Sequence, residues 1–268
     1  MDRHSGWGVI LPEMTLPMPE HWKSPKLTID ICIIGFLLLN AACLFWVWRV
    51  VSQRDYPTAA FAIGLLMCIL FLLVIMVQAR LGLASRHPAL EADGTVFRSP
   101  RAMTRFLELS VVGAIVSGIV FVCYVPSGRL AIGIGGARQI YYPIIVAGLV
   151  CWFSYLLLRG RSSGWGYLKL SPEGFEVTNS VTTTTSGAWD DVVDVVDQAP
   201  KGTSAYCPAV MVMGEGPPQV IKSVDGYGPY GSAIYWAIRH YWLHPENRGE
   251  LTNGRAIERL EAQEFEVE

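Results

Sequence analysis

The chain has 268 residues, of which 51% are hydrophobic and 16% charged, with a formal net charge of −2. Charge divides unevenly: residues through Arg161 carry 14 Lys/Arg against 8 Asp/Glu and the rest carry 7 against 15, recovering the totals of 21 and 23. The acidic C-terminal part argues against nucleic acid as a partner and against simple attraction to anionic lipid, because both would be repelled.

Residues 1–26 hold four prolines (Pro12, Pro17, Pro19 and Pro25) and read as an N-terminal segment without a cleavable signal peptide. Four apolar stretches follow, at 27–51, 57–79, 105–126 and 140–158. Each is close to the ~20 residues that cross a hydrocarbon core. A bilayer supplies no water to free backbone groups, so these stretches are predicted as transmembrane helices. Residues 27–161 then form a four-helix membrane region.

The turn around Gln53–Pro57 makes the first two spans antiparallel neighbours. The third span carries Ser110, Gly113, Ala114, Ser117 and Gly118, small residues at helix-packing spacing. The loop at 80–104 is too long for a bare turn, and Ala89–Ser99 reads as a hairpin around Asp93-Gly94. The loop at 127–139, with Gly133, Gly135 and Gly136, reads as a flexible connection. Five cysteines (Cys32, Cys43, Cys68, Cys123 and Cys151) lie in the spans and Cys207 stands alone in the tail. This spacing suggests buried thiols and no disulfide framework.

Orientation follows from Lys and Arg. One side receives Arg3, Lys23, Lys26, Arg80, Arg86, Arg98, Arg101, Arg105, Arg159, Arg161 and Lys169, and the other only Arg49, Arg54, Arg129 and Arg138. The positive-inside bias makes both termini cytoplasmic in a multi-pass protein of the cell membrane.

Residues 162–245 are β-rich, with a helix at Tyr230–His244. Leu168–Leu170 and Phe175–Val177 flank Ser171-Pro172-Glu173-Gly174, and a polar Thr182–Ser186 tract leads to Trp189-Asp190-Asp191-Val192. Pro208–Met213 and Gln219–Val224 are split by Gly214–Pro218, a strong turn signal. A short helix near Gly254–Ala262 and an acidic end complete 246–268. Leu90-x-x-Asp93-Gly94 matches Leu170-x-x-Glu173-Gly174, as a duplicated unit of two spans and a hairpin would.

The order of strand, Pro172-Glu173-Gly174-Phe175, strand, Trp189-Asp190-Asp191-Val192, later strands and closing helix resembles the bacterial pleckstrin-homology-like domains of multi-pass membrane proteins. The resemblance covers roughly 164–245. It implies a strongly bent antiparallel sheet plugged by a C-terminal helix, membrane-associated binding or assembly, and no shared catalytic residues. Fewer strands are visible than a complete roll needs.

Several patterns invite chemistry, and each has a plainer reading. Gly226-Tyr227-Gly228-Pro229-Tyr230-Gly231 matches a dinucleotide fingerprint, but no parallel strand follows the helix and Pro229 removes a donor. Asp190, Asp191 and Asp194 resemble a Mg²⁺-binding run, but the intervening valines favour a strand that separates them. His240 and His244 have metal-ligand spacing without a third ligand. We expect no cofactor and no metal.

Asp30, Asn40 and Glu108 are polar residues within spans, where charge is costly and usually functional. Asp30 and Glu108 nevertheless lie about one turn from the inner boundary, where water and Lys26 or Arg105 are available. On the Tyr230–His244 helix, Ile234, Ala237, Ile238 and Tyr241 suit a sheet plug. Trp236, Trp242 and Leu243 lie off that stripe and form the expected interaction surface. The reading is a non-enzymatic assembly or scaffolding module at the inner membrane face, with the bilayer and another protein or a second copy as partners. The alternatives are a small transporter or channel subunit, suggested by Asp30, Asn40 and Glu108, and third a membrane lipid-modifying enzyme.

Overall fold

The computed structural model of the chain describes residues 16–23, 26–81, 88–163, 166–180, 183–203, 205–227 and 231–267. Four helices, α1 (Lys26–Ser52), α2 (Tyr56–Arg80), α3 (Arg101–Tyr124) and α4 (Arg138–Ser163), are long and apolar enough to cross a membrane. Asp55 starts α2 by accepting the Thr58 N–H at 3.2 Å, with Pro57 in the first turn. Pro100 precedes α3 directly, so that helix begins four residues before its apolar stretch.

Helices pack in chain order, α1 on α2, α2 on α3 and α3 on α4. The α2–α3 contact is the closest. A Cβ on Gly64 would lie 2.9 Å from Ser117 N, and one on Gly113 would lie 2.8 Å from Cys68 N. Ser110 Oγ donates to Cys68 O at 2.9 Å, and Ser117 Oγ to Phe61 O at 3.0 Å. Small residues and interhelical hydrogen bonds replace the hydrophobic drive that lipid does not provide. The 127–139 loop, expected to be loose, is held: Ala131 N donates to Thr58 Oγ1, Gln139 Nε2 to Val125 O, and Leu130 is buried.

The water-soluble part contains two antiparallel sheets. The first has the order β1 (Ala89–Glu91), β2 (Gly94–Arg98), β3 (Tyr167–Leu170), β4 (Gly174–Ser180), β5 (Thr183–Ala188). The second is β6 (Val192–Val196), β7 (Ala209–Met213), β8 (Gln219–Ile221). Helix α5 (Gly231–Leu243) and the short α6 (Glu250–Asn253) and α7 (Arg255–Ala262) close the chain.

The hairpin expected in the 80–104 loop forms, and it does not stand alone. Thr95 pairs with Leu170 and Phe97 with Leu168, joining β2 to β3 across two membrane spans. Phe97, Leu168, Leu170, Phe175, Val177 and Trp189 share one core with Leu16 from before α1 and with Leu251, Leu260 and Phe265. The 162–245 boundary is therefore too narrow. Residues 16–23, the hairpin and the C-terminal helices all belong to the folded unit, because strands β3–β5 alone leave the Leu168/Leu170 face incompletely covered. Of the polar Thr182–Ser186 tract, residues 183–186 lie in strand β5, as their β-branched threonines favour, and Thr182 lies outside the described residues. Trp189 is buried at 1% exposure, with Nε1 donating to Ser171 O at 2.8 Å.

Candidate interaction surface

The acidic residues of the spans are committed to arginines at helix ends. Arg80 Nε, at the end of α2, donates to Asp30 Oδ1 on α1 at 2.7 Å. Arg161, near the end of α4, reaches Glu108 Oε2 on α3 at 3.4 Å. Arg80 and Arg161, which sit on the neighbouring helix of each pair, are partners that sequence proximity to Lys26 and Arg105 does not suggest. Antiparallel pairing brings the end of one helix beside the start of its neighbour, which sequence proximity does not reveal. Asn40 is buried in α1, where Nδ2 donates to Phe36 O at 2.8 Å and Oδ1 has no partner among the described residues. These three residues do not converge. Asp30 and Glu108 close two different helix pairs, and Asn40 is bonded within its own helix.

The two halves match further. Gly94 opens β2 and Gly174 opens β4, each after an acidic turn residue. A Cβ would lie 2.4 Å from Leu170 O at Gly94 and 2.1 Å from Gly187 O at Gly174. Both glycines are required by close approach of the next strand's carbonyl. The acid–arginine pair, the two spans and the acidic-Gly hairpin therefore recur in the same order.

The candidate metal patterns resolve into ordinary bonding. Asp190 meets Arg248 at 3.4 Å, Asp194 Oδ1 accepts its neighbour's Val195 N–H, and Asp191 lies in a turn. His240 Nε2 contacts Asn247 Nδ2 at 3.2 Å and His244 Nδ1 contacts Glu246 at 3.1 Å. Among the described residues no group of three His, Cys, Asp or Glu is placed to hold a metal. Burial, then the nearby Arg259 and His244, pushes the His240 pKa below its usual value. Part of the Gly226–Gly231 motif, residues 228–230, lies outside the described residues.

Helix α5 buries Ile234, Ala237, Ile238 and Tyr241 as expected, but its second face is also covered. Trp236 is 7% exposed, and its Nε1 donates to Pro17 O at 2.9 Å. The strap at 16–23 lies over this face. Trp22 packs edge-on against Tyr235 with ring centroids 5.8 Å apart and donates to Pro208 O; His21 N–H and Nδ1 meet the Asp197 carboxylate; Lys23 N–H donates to Tyr206 O. The expected interaction surface at Trp236 is thus corrected: the chain's own N-terminal segment occupies it. Trp242 is half-committed, donating to Val192 O at 2.9 Å, and Leu243 alone of the three stays substantially exposed.

Sequence reasoning missed the strap residues Leu16, His21 and Trp22 and the position of β5 as the last strand of its sheet. A signal was present for the strap, since two aromatic or apolar anchors flank prolines just before the first span. Comparison with family models, with curated proteins and with solved structures gives no match for this chain.

Proposed function

We propose that this chain is a non-enzymatic assembly module at the inner face of the cell membrane, presenting a pleckstrin-homology-like domain on a four-helix anchor. One observation carries the reading: the soluble unit draws its core from before α1, between α2 and α3, and after α4. A domain joined to the spans at so many points is suited to hold a partner in fixed register with the membrane. The hairpin supports the domain assignment as well. With β1 and β2 added beside β3, β4 and β5, the first sheet has five strands, the second has three, and α5 side chains enter the core they share, as a roll closed by a helix would require. The lysine and arginine bias supports a cytoplasmic location for this unit.

Bonding in the spans favours assembly over transport. Ser110 and Ser117 spend their hydroxyls on backbone carbonyls of α2, and Asp30 and Glu108 pair with arginines at the boundary. The deciding experiment is purification of the tagged full-length chain in mild detergent, followed by mass spectrometry and reconstitution with the recovered protein. A stoichiometric partner that rebinds the purified chain is expected. A chain that recovers no partner, and that on reconstitution moves a solute across liposomes, would replace this reading with transport.

A further inference from the structure

Two sheets present four edges, and three of them are managed. Strand β1 has three residues and packs by α6, where Thr95 Oγ1 of the adjoining β2 donates to Leu251 O at 2.9 Å. The edge of β6 is capped by α5 side chains: Trp242 Nε1 donates to Val192 O at 2.9 Å, and Arg239 Nη1 to Val195 O at 2.8 Å. Strand β8 has three residues between Pro218 and Lys222. Proline, charge, shortness and cover are the usual guards against unwanted strand pairing.

Among the described residues, strand β5 has none of them. Its six residues, Thr-Thr-Thr-Ser-Gly-Ala, include no proline and no charge, and β4 is its one neighbour in the sheet. Trp189 N donates to Glu173 O at 3.2 Å, just past the Gly174–Ala188 pair. Alternation along an antiparallel ladder then turns the N–H and C=O groups of Thr185 and Gly187 toward β4. Those of Thr184, Ser186 and Ala188 point away from the sheet, and these three residues are exposed.

Beside this edge lies a concavity of about 400 Å³ whose lining includes Asp93, Glu173, Glu176 and Lys169 together with Ser186 and Ala188 of β5. Three carboxylates there face one ammonium, and Lys169 Nζ is already paired with Asp93 at 2.5 Å. Glu176 shares a face with Ser186, opposite it in register. A strand added to β5 would run ~10 Å from β4, two inter-strand spacings. A Lys or Arg on it, crossing the small Ser186, reaches Glu176, and one nearer Ala188 reaches Glu173.

We propose that β5 takes an extended, Lys- or Arg-bearing segment of a partner protein as a sixth strand, with its basic side chains in the acidic concavity. The inference deepens the assembly reading and rests on it for the existence of a partner. Backbone pairing supplies attachment and the carboxylates supply the choice of sequence.

The test uses the full-length chain in nanodiscs of zwitterionic lipid. The probe is a fluorescent, acetylated octapeptide of alternating Thr and Lys, read by anisotropy. Saturable binding is expected, weakening as salt rises. Ser186→Pro removes an outward donor while sparing the β4 ladder, and should weaken binding at least tenfold. Glu173→Lys should weaken it at least threefold. A Thr/Glu octapeptide, and the Lys peptide N-methylated at every residue so that neither strand edge can donate, should fail to bind. The methylated peptide also decides the matter should Ser186→Pro not fold.

No saturable binding, equal binding by the Ser186→Pro variant, or equal binding of the methylated or Glu peptide would overturn the proposal. So would a disulfide between copies through Ser186→Cys, which would give the edge to a second copy. A reconstituted partner that binds the Ser186→Pro variant as well as wild type would sink this inference and leave assembly standing. A chain with no partner would sink assembly whatever β5 binds.

Discussion

Truncating Trp236 to Ala removes an indole that is 7% exposed and takes the donor from the Pro17 carbonyl. Lost burial and the cavity left behind cost about 3–5 kcal/mol. The stranded carbonyl adds roughly 1 kcal/mol. Domains of this size are stable by about 5–15 kcal/mol, so the unit should remain folded but weakened. At roughly 2–4 °C per kcal/mol, the melting temperature should fall by about 10 °C or more. The tail alone is the wrong sample, because residues 16–23 and 89–98 complete the core. Melting should be followed on the full chain in nanodiscs, with amide exchange at Lys23, whose N–H donates to Tyr206 O at 3.0 Å. Trp236→Phe keeps most of the buried ring and loses the N–H. It should speed exchange across the strap while lowering stability by only about 1 kcal/mol. Unchanged melting and unchanged protection in Trp236→Ala would refute the strap as the cover of this face.

Gly174→Ala and Gly94→Ala each drive a methyl into a strand carbonyl and should destabilise by about 1–3 kcal/mol or more, whereas Gly135→Ala, with nothing within 4 Å, should leave melting unchanged. Asp30→Asn and Glu108→Gln each remove one ion pair between exposed helix ends and should leave melting nearly unchanged with insertion intact. A solute flux into liposomes abolished by either variant would contradict the boundary role. His240 carries a lowered pKa, caused first by burial and then by Arg259 and His244. The folded state therefore binds the proton less well than the unfolded chain. Its contribution to stability is present above the unfolded value of about 6.5 and is lost as pH falls through the lower folded value. His240→Gln should flatten the loss of melting temperature in that acidic range, and an unaltered slope would refute the linkage.

Local pattern made some of this architecture legible. An apolar run of span length needs no partner to be recognised, and Asp93-Gly94 marks its hairpin by turn chemistry alone. The inward stripe Ile234, Ala237, Ile238 and Tyr241 followed from helical period. The pairing of Phe97 with Leu168 did not, because two spans intervene and nothing within either strand names the other. Trp236 shows the same limit at the interaction surface. Periodicity identified a second apolar face, but an apolar face calls equally for an external partner or for a remote part of the same chain. Here Pro17 and Trp22 supplied the answer. For Asp30 and Glu108, sequence proximity suggested Lys26 and Arg105 and could not name Arg80 and Arg161, which antiparallel packing brings from the far end of the next helix.

The interleaving also limits when the soluble unit can form. Leu16 precedes α1, Phe97 lies between α2 and α3, and Leu168 follows α4, yet all three enter one core. That meeting is possible only if each pair of spans returns the chain to the side it left. A chain with α1 and α2 inserted would display the hairpin with β2 paired to β1 alone, because β3 is not yet made. Only after α4 is in place can Thr95 meet Leu170 and Phe97 lose contact with water. Closing so long a loop costs little more than closing a short one, since the entropy grows with the logarithm of length. Inserted helices shorten the search further by fixing where both strands emerge. The core thus rewards correct insertion of both span pairs together, and the edge of β5, lying beyond β3 and β4, becomes available for pairing only once that has happened.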